Sequence, residues 1–581
     1  MLSIHSVVQG DIGVSLMFGG SKLLTILHAG DEDVLPLLSR AHLREAFLRV
    51  PLQQIQGVLQ HHVLPVAWLP GQTLYGFCGQ RGFDFARDRK LKLVVEITSS
   101  DFHGEIRNVW GKKLRDNATF RLSRRLPAFS ARQRLTPTQI IFLAACLAGT
   151  IVALTTLSSV VLWSAASAIV GLFFLSVIML RLFCVLSRFF AKRKVEKQHI
   201  ADDDLPTYSV LVPVFHEENV LGQLLRALKN LDYPHEKLDI KIVTEEHDIA
   251  LRRALEQHNL PGHFEIIVVP PGKPQTKPRA LNYALQFCRG DLLTIFDAED
   301  IPHPQQLRDA AQCFMTTDDN NLACVQAQLV FFNSRENWLT RQFTAEYATL
   351  FGVVLPALAA HGLPLPLGGT SNHFRTDILR RIGGWDAFNV TEDADLGFRL
   401  ARFGFTTSVI DSITREEATT QCANWLKQRA RWLKGFLQTW LVHMRNPLKT
   451  RRALGLRGFW VLQACTIGVF ASALLHPLLL ILTIYQFYFY PPFSPGESLF
   501  VTAVNGLNIL IFILGYGVSM YAANKALRLR GRRNWWGTIA TMPLYWFLMT
   551  AAGWLALYQF IVAPFEWNKT EHGLSRKPDR A

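Results

Sequence analysis

The stretch YSVLVPVFHEENVLGQLLRALKNLDYPHEKLDIKIVTEE, Tyr208 to Glu246, decides the fold. It begins and ends on short runs of β-branched residues and holds an amphipathic, helix-like segment, ENVLGQLLRALKNL, between them. Strand, helix, strand is the unit of a parallel sheet, whose strands are covered on both faces and so read as nearly unbroken apolar runs. HFEIIVVPP (263–271) and DLLTIFDAED (291–300) continue the pattern. The expected architecture is α/β, with a mainly parallel sheet over residues 205–445. In such sheets ligands bind beyond the carboxyl ends of the strands. Glu245, Glu246, Asp297 and Glu299 fall there.

On either side of this domain the composition turns apolar. Hydrophobic residues make up 49% of the 581-residue chain and mean hydropathy is +0.15. The excess is gathered into runs at 139–163, 165–187, 458–490, 498–523 and 536–563, each long enough to cross or line a bilayer. The net charge of +15 is concentrated at the borders of these runs, in RLSRRLPAFSARQR (121–134), RFFAKRKVEK (188–197), RNPLKTRR (445–452) and RLRGRR (528–533). That distribution follows the positive-inside rule and argues against a nucleic-acid partner. It implies a multi-pass protein of a bacterial inner membrane, with the lipid bilayer as a partner and the α/β domain cytoplasmic.

Several finer expectations follow. Residues 136–190 form a hairpin of spans with both ends inside. Residues 457–565 hold a crossing segment bent at Pro477, a return span, and an interfacial or re-entrant helix pair bent near Pro543. That pair keeps the basic tail, 566–581, cytoplasmic. NSRENWLTRQFTAEYATLFGVVLPAL (333–358) reads as an amphipathic helix resting on the membrane face of the domain. Eight scattered cysteines form no CxxC or Cys/His cluster and read as small hydrophobes. The N-terminus lacks a secretory signal pattern.

Residues 1–135 read as a small α+β accessory domain on the cytoplasmic side. LKLVVEI alternates like a strand, and VLPVAWLPGQTLYGFCG reads as strand, Pro-Gly turn, strand. His61-His62 has no third ligand at suitable spacing and reads as solvated or packed. RVPLQQIQGVLQHHVLPVAWLPGQTLYG resembles the N-terminal domain of type II secretion ATPases. Some relatives of that domain bind cyclic di-GMP, but the glycine- and arginine-bearing motif for that ligand is not evident here.

Within the α/β domain, FNVTEDADLGFRL (388–400) crowds Glu392, Asp393 and Asp395 behind Thr391. Capping alone accounts for such a pattern, since Thr391 accepts from free N–H groups and acids suit the positive end of a helix. Its companions say more: DAED (297–300), TKPRALNYAL (276–285) and KQRARWLKGFLQTW (427–440). DAED, TED and QxxRW, in that order in an α/β domain flanked by spans, resemble the processive family 2 glycosyltransferases: cellulose, chitin and hyaluronan synthases and their relatives.

The resemblance implies a Rossmann-like A-type glycosyltransferase fold and an inverting transfer from a nucleotide-sugar donor, of UDP type, to a glycan acceptor. Asp297 and Glu299 match the position that holds Mg²⁺ or Mn²⁺ on the donor diphosphate, with Asp300 as the alternative ligand or a turn cap. Asp393 matches the general base, positioned by Glu392 and Thr391. Gln428 and Arg431 match the diphosphate donors, and Trp432 the face on which an acceptor sugar stacks. Pro213, Phe215 and Glu217 of VPVFHEEN match the donor loop, with His216 in place of Asn. Glu245 stands where relatives place an Asp on uridine, and Lys277 matches a Lys near the diphosphate. In PLPLGGTSNHFRTDILRRIGGW (364–385), Gly369, Thr370, Asn372 and His373 are candidate sugar contacts, or the segment is a plain tight turn.

Three functions remain open on sequence: a polymerase with export and regulatory partners, a non-processive transferase acting on a lipid or short acceptor, and an inactive membrane scaffold.

Overall fold

The structure is a computed structural model that describes residues 14–18, 21–26, 40–51, 54–69, 72–190, 200–489, 499–567 and 573. The expectations for the loop 490–498, the basic linker 191–199, the Pro-Gly turn 70–71, the extreme N-terminus and most of the tail after 567 lie outside those residues.

Eight strands build the central sheet: β1 Tyr208–Val214, β2 Leu238–Glu245, β3 Phe264–Val269, β4 Leu292–Ile295, β5 Ile301–Pro302, β6 Leu322–Phe331, β7 Asn372–Arg375 and β8 Thr406–Glu416. Their spatial order is β5-β8-β6-β7-β4-β1-β2-β3. β1 is parallel to β2 and β4, and β2 to β3, so four carboxyl ends open on one edge. β2 is buried along its whole length, which accounts for its apolar reading. The helix Glu218–Lys229 covers the sheet with Val220, Leu221, Leu224, Leu225 and Leu228, one stripe of a 3.6-residue period. β7 runs antiparallel to both β4 and β6, a reversal hidden inside the GGTSNHFR segment. The result is a mixed, Rossmann-type sheet of the kind expected.

The accessory region has the anticipated hairpin, Val63–Leu69 antiparallel to Gln72–Phe77, preceded by the helix Ile55–His61. Leu93–Glu96 pairs in parallel with its second strand. This region docks on the β2–β3 side of the large sheet through buried charge. Arg81 lies 2.8 Å from both Asp239 and Glu265, Lys241 pairs with the same two acids, and His62 and His103 lie 3.3 and 3.2 Å from Glu265 Oε1. The expectation that His61-His62 lacks further ligands is therefore corrected: folding brings His103 and Glu265 beside His62. Glu265 already pairs with Lys241 and Arg81, so the cluster reads as an ionic joint between the two regions.

Among the described residues, six helices are long and apolar enough to cross a membrane: Pro137–Thr156, Ser164–Ser187, Trp338–Ala360, Pro447–Ile481, Thr502–Leu529 and Met542–Val562. Trp338–Ala360 packs between β6 of the domain and the apolar Leu499–Leu529 helix, with Phe343, Tyr347, Ala348 and Phe351 buried. Pro477 lies inside the helix Val469–Phe489, in the expected crossing segment, and a separate departure from helical geometry precedes it at Gly455 with φ +68°. Gly tolerates that left-handed value where other residues are strained.

The expected break near Pro543 is present: the helix Trp536–Ala540 gives way at Thr541 to Met542–Val562, and Pro543 sits in the first turn of the second helix, where its missing N–H is harmless. Both ends of that helix still touch the α/β domain: Thr541 at Trp338 and Gln342, and Ala563 at Lys434.

Candidate active site

The carboxyl ends of β1, β2 and β4 floor a cavity of about 1330 Å³. It collects Pro213, Phe215, Glu217, Glu245, Lys277, Asp297, Glu299, Gly369, Thr370, Thr391, Glu392, Asp393, Gln428, Arg431 and Trp432. These come from segments spread over more than 200 residues. Two sequence candidates stay outside. His373 is buried within the sheet with Nδ1 2.6 Å from the Tyr208 hydroxyl, and burial drives its pKa down to about 3. Asn372 instead donates to the Gly368 carbonyl and holds the turn. The reason is the strand β7, whose pairing between β4 and β6 takes both side chains away from the opening.

The donor-side loop is stiff. His216 adopts φ +51°, a left-handed value that Asn and His accept more readily than most residues. Its N–H donates to Asp248 (2.7 Å). Glu245 is not free: Arg279 Nη2 donates to both its oxygens at 3.1 and 2.9 Å. Burial pushes this carboxyl up against the pull of Arg279.

Lys277 begins the helix Lys277–Leu285, ion-pairs with Asp297 and donates to the Gly369 carbonyl at 2.8 Å. Burial opposes its charge, yet Asp297 and Glu392 hold its pKa above the usual lysine value. Asp300 resolves as the turn cap, accepting from the Asp297 N–H (2.7 Å) and from the Thr370 hydroxyl.

Asp297, Glu299, Asp300 and Glu416 form one acidic group. Burial first, and then their mutual charge, raises the carboxyl pKa of Glu299, Asp300 and Glu416 well above the carboxylate range. Asp300 Oδ1 and Glu416 Oε1 are buried without a hydrogen-bond partner among the described residues. Hard carboxylate oxygens with unanswered lone pairs are the ligand type that Mg²⁺ or Mn²⁺ takes, although no three of these acids bring ligand atoms within 4.8 Å of one another in this structure.

Thr391 holds the N-cap position of the helix Glu392–Arg402, but its hydroxyl does not cap; it points to Asn389 Oδ1 at 3.4 Å. The cause is the facing helix Cys422–His443: Thr391 packs so tightly on Gly435 that a Cβ there would lie 2.3 Å from Thr391 Oγ1. Asp393 Oδ1 accepts from the Ala394 N–H (2.8 Å). Burial raises the Asp393 pKa, and burial together with the Asp393 charge pushes Glu392 up to about 8.

Arg431 spans the same region, with Nη1 3.5 Å from the Val390 carbonyl and its guanidinium 4.4 Å from the Trp567 ring centre. Gln428 accepts from Thr419 at 3.4 Å. Trp432 stacks on Tyr347 at 6.0 Å, with Arg429 4.6 Å from its ring centre.

Sequence reasoning missed contributors from both ends of the chain. Phe120 and Arg132 enter from before the α/β domain, and Phe565 and Trp567 from after the last helix. Lys434 and Gln438 fix that final segment by donating to the carbonyls of Ala563, Glu566 and Pro564. No motif announces these residues; the aromatic pair closing the last apolar run was the available cue.

A second chamber of about 370 Å³ opens among the apolar helices. Tyr347, Gly369, Thr391, Asp393 and Trp432 line both spaces. Farther in, the walls are Phe351, Phe436, Phe512, Tyr516 and Trp546, with Arg181, Glu346, Arg429 and His476 among them.

Residues 206–435 match the family model described as Glycosyltransferase like family 2. The match does not include the accessory region. The chain is 25% identical over 264 residues to the probable glycosyltransferase YdaM of Bacillus subtilis, 45% of this chain and 62% of the relative. It is 25% identical over 383 residues to a beta-monoglucosyldiacylglycerol synthase of Nostoc, 65% of this chain and 75% of the relative. It is 24% identical over 359 residues to a cellulose synthase catalytic subunit of Pseudomonas fluorescens, 60% of this chain and 45% of the relative.

Proposed function

We propose that the protein is an inverting, metal-assisted glycosyltransferase of a bacterial inner membrane that extends a β-linked polysaccharide from a UDP-sugar on the cytoplasmic side and passes the product out through its own helices. The observation that carries this reading is the placement of Asp393 in the wall shared by the two chambers. A base there faces a donor on one side and an acceptor on the other.

In this scheme Asp393 takes the proton of the acceptor hydroxyl as its oxygen attacks the anomeric carbon. A raised pKa suits a base working near neutral pH. A single displacement from the face opposite the leaving group inverts the centre, so an α-linked donor gives a β-linkage. Thr391 and Glu392 position the base. Asp297 and Glu299 would hold Mg²⁺ or Mn²⁺, which supplies charge neutralisation to the leaving diphosphate. Lys277, Gln428 and Arg431 donate to that diphosphate, and Pro213, Phe215, Glu217 and Glu245 bound the nucleoside. Trp432, held flat by Tyr347, offers its face to the acceptor ring, with Gly369 and Thr370 beside it. Aromatic faces interrupted by charged and hydroxyl groups at membrane depth are costly unless used, and they suit a passing sugar chain.

One observation favours a second acceptor, a lipid alcohol. The inner chamber is largely apolar, and the similarity to a glucosyldiacylglycerol synthase covers more of that relative than the similarity to cellulose synthase does of its own. Purified protein in lipid nanodiscs, given radiolabelled UDP-sugars and Mn²⁺, tests both. A ladder of growing oligosaccharides supports the polymerase. A single labelled glycolipid replaces it with the lipid reading, and the absence of any transfer from all donors removes the enzyme.

A further inference from the structure

The large cavity is poorly balanced for an anionic ligand. Among the described residues, nine carboxylate side chains line it against four cations: Arg132, Lys273, Lys277 and Arg431. Lys277 already answers Asp297, and Arg431 lies on Trp567. A nucleoside diphosphate entering such a space needs every cation within reach, because repulsion from the acids works against it.

Arg132 is the cation that comes from outside the matched family domain. Its guanidinium stands 4.9 Å from the ring centre of Phe120 and 5.9 Å from that of Phe388, and it makes no ion pair with a described residue. The backbone presenting it is clamped from two sides. Asp386 accepts from the Ser130 hydroxyl (2.9 Å) and the Ala131 N–H (2.5 Å). Arg445 donates to the carbonyls of Pro127, Ser130 and Gln133 at 2.6, 2.8 and 2.5 Å. Asp386 lies seven residues before Asp393 in the same loop and helix start, so the clamp ties this segment to the frame of the site. A plain linker into a membrane helix needs no such fixing. A planar guanidinium propped on aromatic faces, unpaired and facing an anion site, suits paired hydrogen bonds to phosphate oxygens.

We propose that Arg132 is a donor-binding residue: it pairs with the diphosphate of the nucleotide, so that the segment preceding the first membrane helix completes the nucleotide site. The assignment rests on the nucleotide-sugar reading above, and its test separates the two. Full-length protein in nanodiscs is titrated calorimetrically with UDP, GDP, uridine and guanosine in Mn²⁺, as wild type and as Arg132→Ala and Arg132→Lys.

Losing one charge-assisted pair should weaken nucleoside diphosphate binding about 10- to 100-fold in Arg132→Ala, with Arg132→Lys between it and wild type. Binding of the free nucleosides should hardly change, and so should the thermal midpoint, since the side chain is exposed. In turnover, KM for the donor should rise more than kcat falls. Unchanged diphosphate affinity in Arg132→Ala overturns the assignment. An equal loss for nucleoside and diphosphate also overturns it, because the contact would then be to the base through the Phe120 shelf. If wild type binds neither diphosphate, the nucleotide-sugar reading itself falls, and this assignment with it.

Discussion

Arg429 and Glu346 form a two-pronged ion pair, with guanidinium nitrogens 2.8 and 2.6 Å from the two carboxylate oxygens, in the wall of the inner chamber. The Tyr545 hydroxyl donates to the same carboxylate (2.7 Å), and the guanidinium covers both Phe343 and Trp432. Removing one partner leaves a charge in a poorly solvated place. Arg429→Ala should cost about 2 kcal/mol, a figure reduced because Glu346 is partly exposed. The double replacement with Glu346→Ala should recover part of the loss. Thermal unfolding in detergent measures both. A double variant no better than the single would show that the pair does not act as one unit.

Asp393→Asn keeps the shape and hydrogen-bond reach of the side chain but not its basicity. Transfer should fall by about 10²- to 10⁴-fold, the usual worth of a positioned base. Nucleoside diphosphate affinity should stay within a few-fold of wild type, and substantial retained turnover would reassign the base.

Chelation offers a separate check on the acidic group. EDTA should abolish transfer, and Mn²⁺ or Mg²⁺ should restore it. Asp297→Asn should remove the part of diphosphate affinity that depends on the ion, which titration with and without Mn²⁺ reads directly. Asp300→Asn should instead destabilise the fold by about 1–2 kcal/mol, because Asp300 holds the turn through Asp297 and Thr370. Ion-independent binding and transfer in wild type would remove metal from the scheme.

Gly435→Ala adds one methyl where only 2.3 Å separates the new atom from Thr391 Oγ1. The two helices must part or Thr391 must turn, and either moves Asp393. A fall in kcat of at least about ten-fold, with a folded protein and near-normal donor KM, is the expected result. Wild-type kcat would mean that Thr391 does not govern the placement of the base.

The joint between the accessory region and the sheet should be sensitive to acid. Burial lowers the His62 pKa from 6.5 to about 4, so the folded chain takes up fewer protons there than the unfolded chain between those values. Stability is then flat above about pH 6.5 and declines as pH falls toward 4, by at most roughly 3 kcal/mol from this group. His62→Gln should flatten the thermal midpoint in that window. A slope identical to wild type would place the sensitivity elsewhere.

The sheet and the gathering of TED, DAED and QxxRW were legible because strand burial and helix periodicity leave marks within a few residues. β2 reads as a buried strand because it is buried throughout, and β1 because all of it but Pro213 is, and Glu245, Asp297 and Asp393 reach one cavity as their positions foretold. What failed was pairing between distant segments. The antiparallel insertion of β7 turned His373 inward, and nothing local distinguishes a four-residue strand from a loop. The Thr391 cap was lost to a glycine more than forty residues away. Proline marked the helix boundary at 541–543, while no motif marked the departure from helical geometry at Gly455. Arg132 and Trp567 carried no motif at all.

The helix Pro137–Thr156 is moored only at its start, where Gln139 reaches the Leu441 carbonyl at 2.8 Å; beyond that point none of its residues is buried. No partner side chain within the described chain reads the order of its amino acids. Shuffling the apolar letters from Ile140 to Thr156, with hydropathy and length kept, therefore leaves the rest of the molecule indifferent. The same helix is the natural place to attach a spectroscopic reporter or to exchange for an unrelated span.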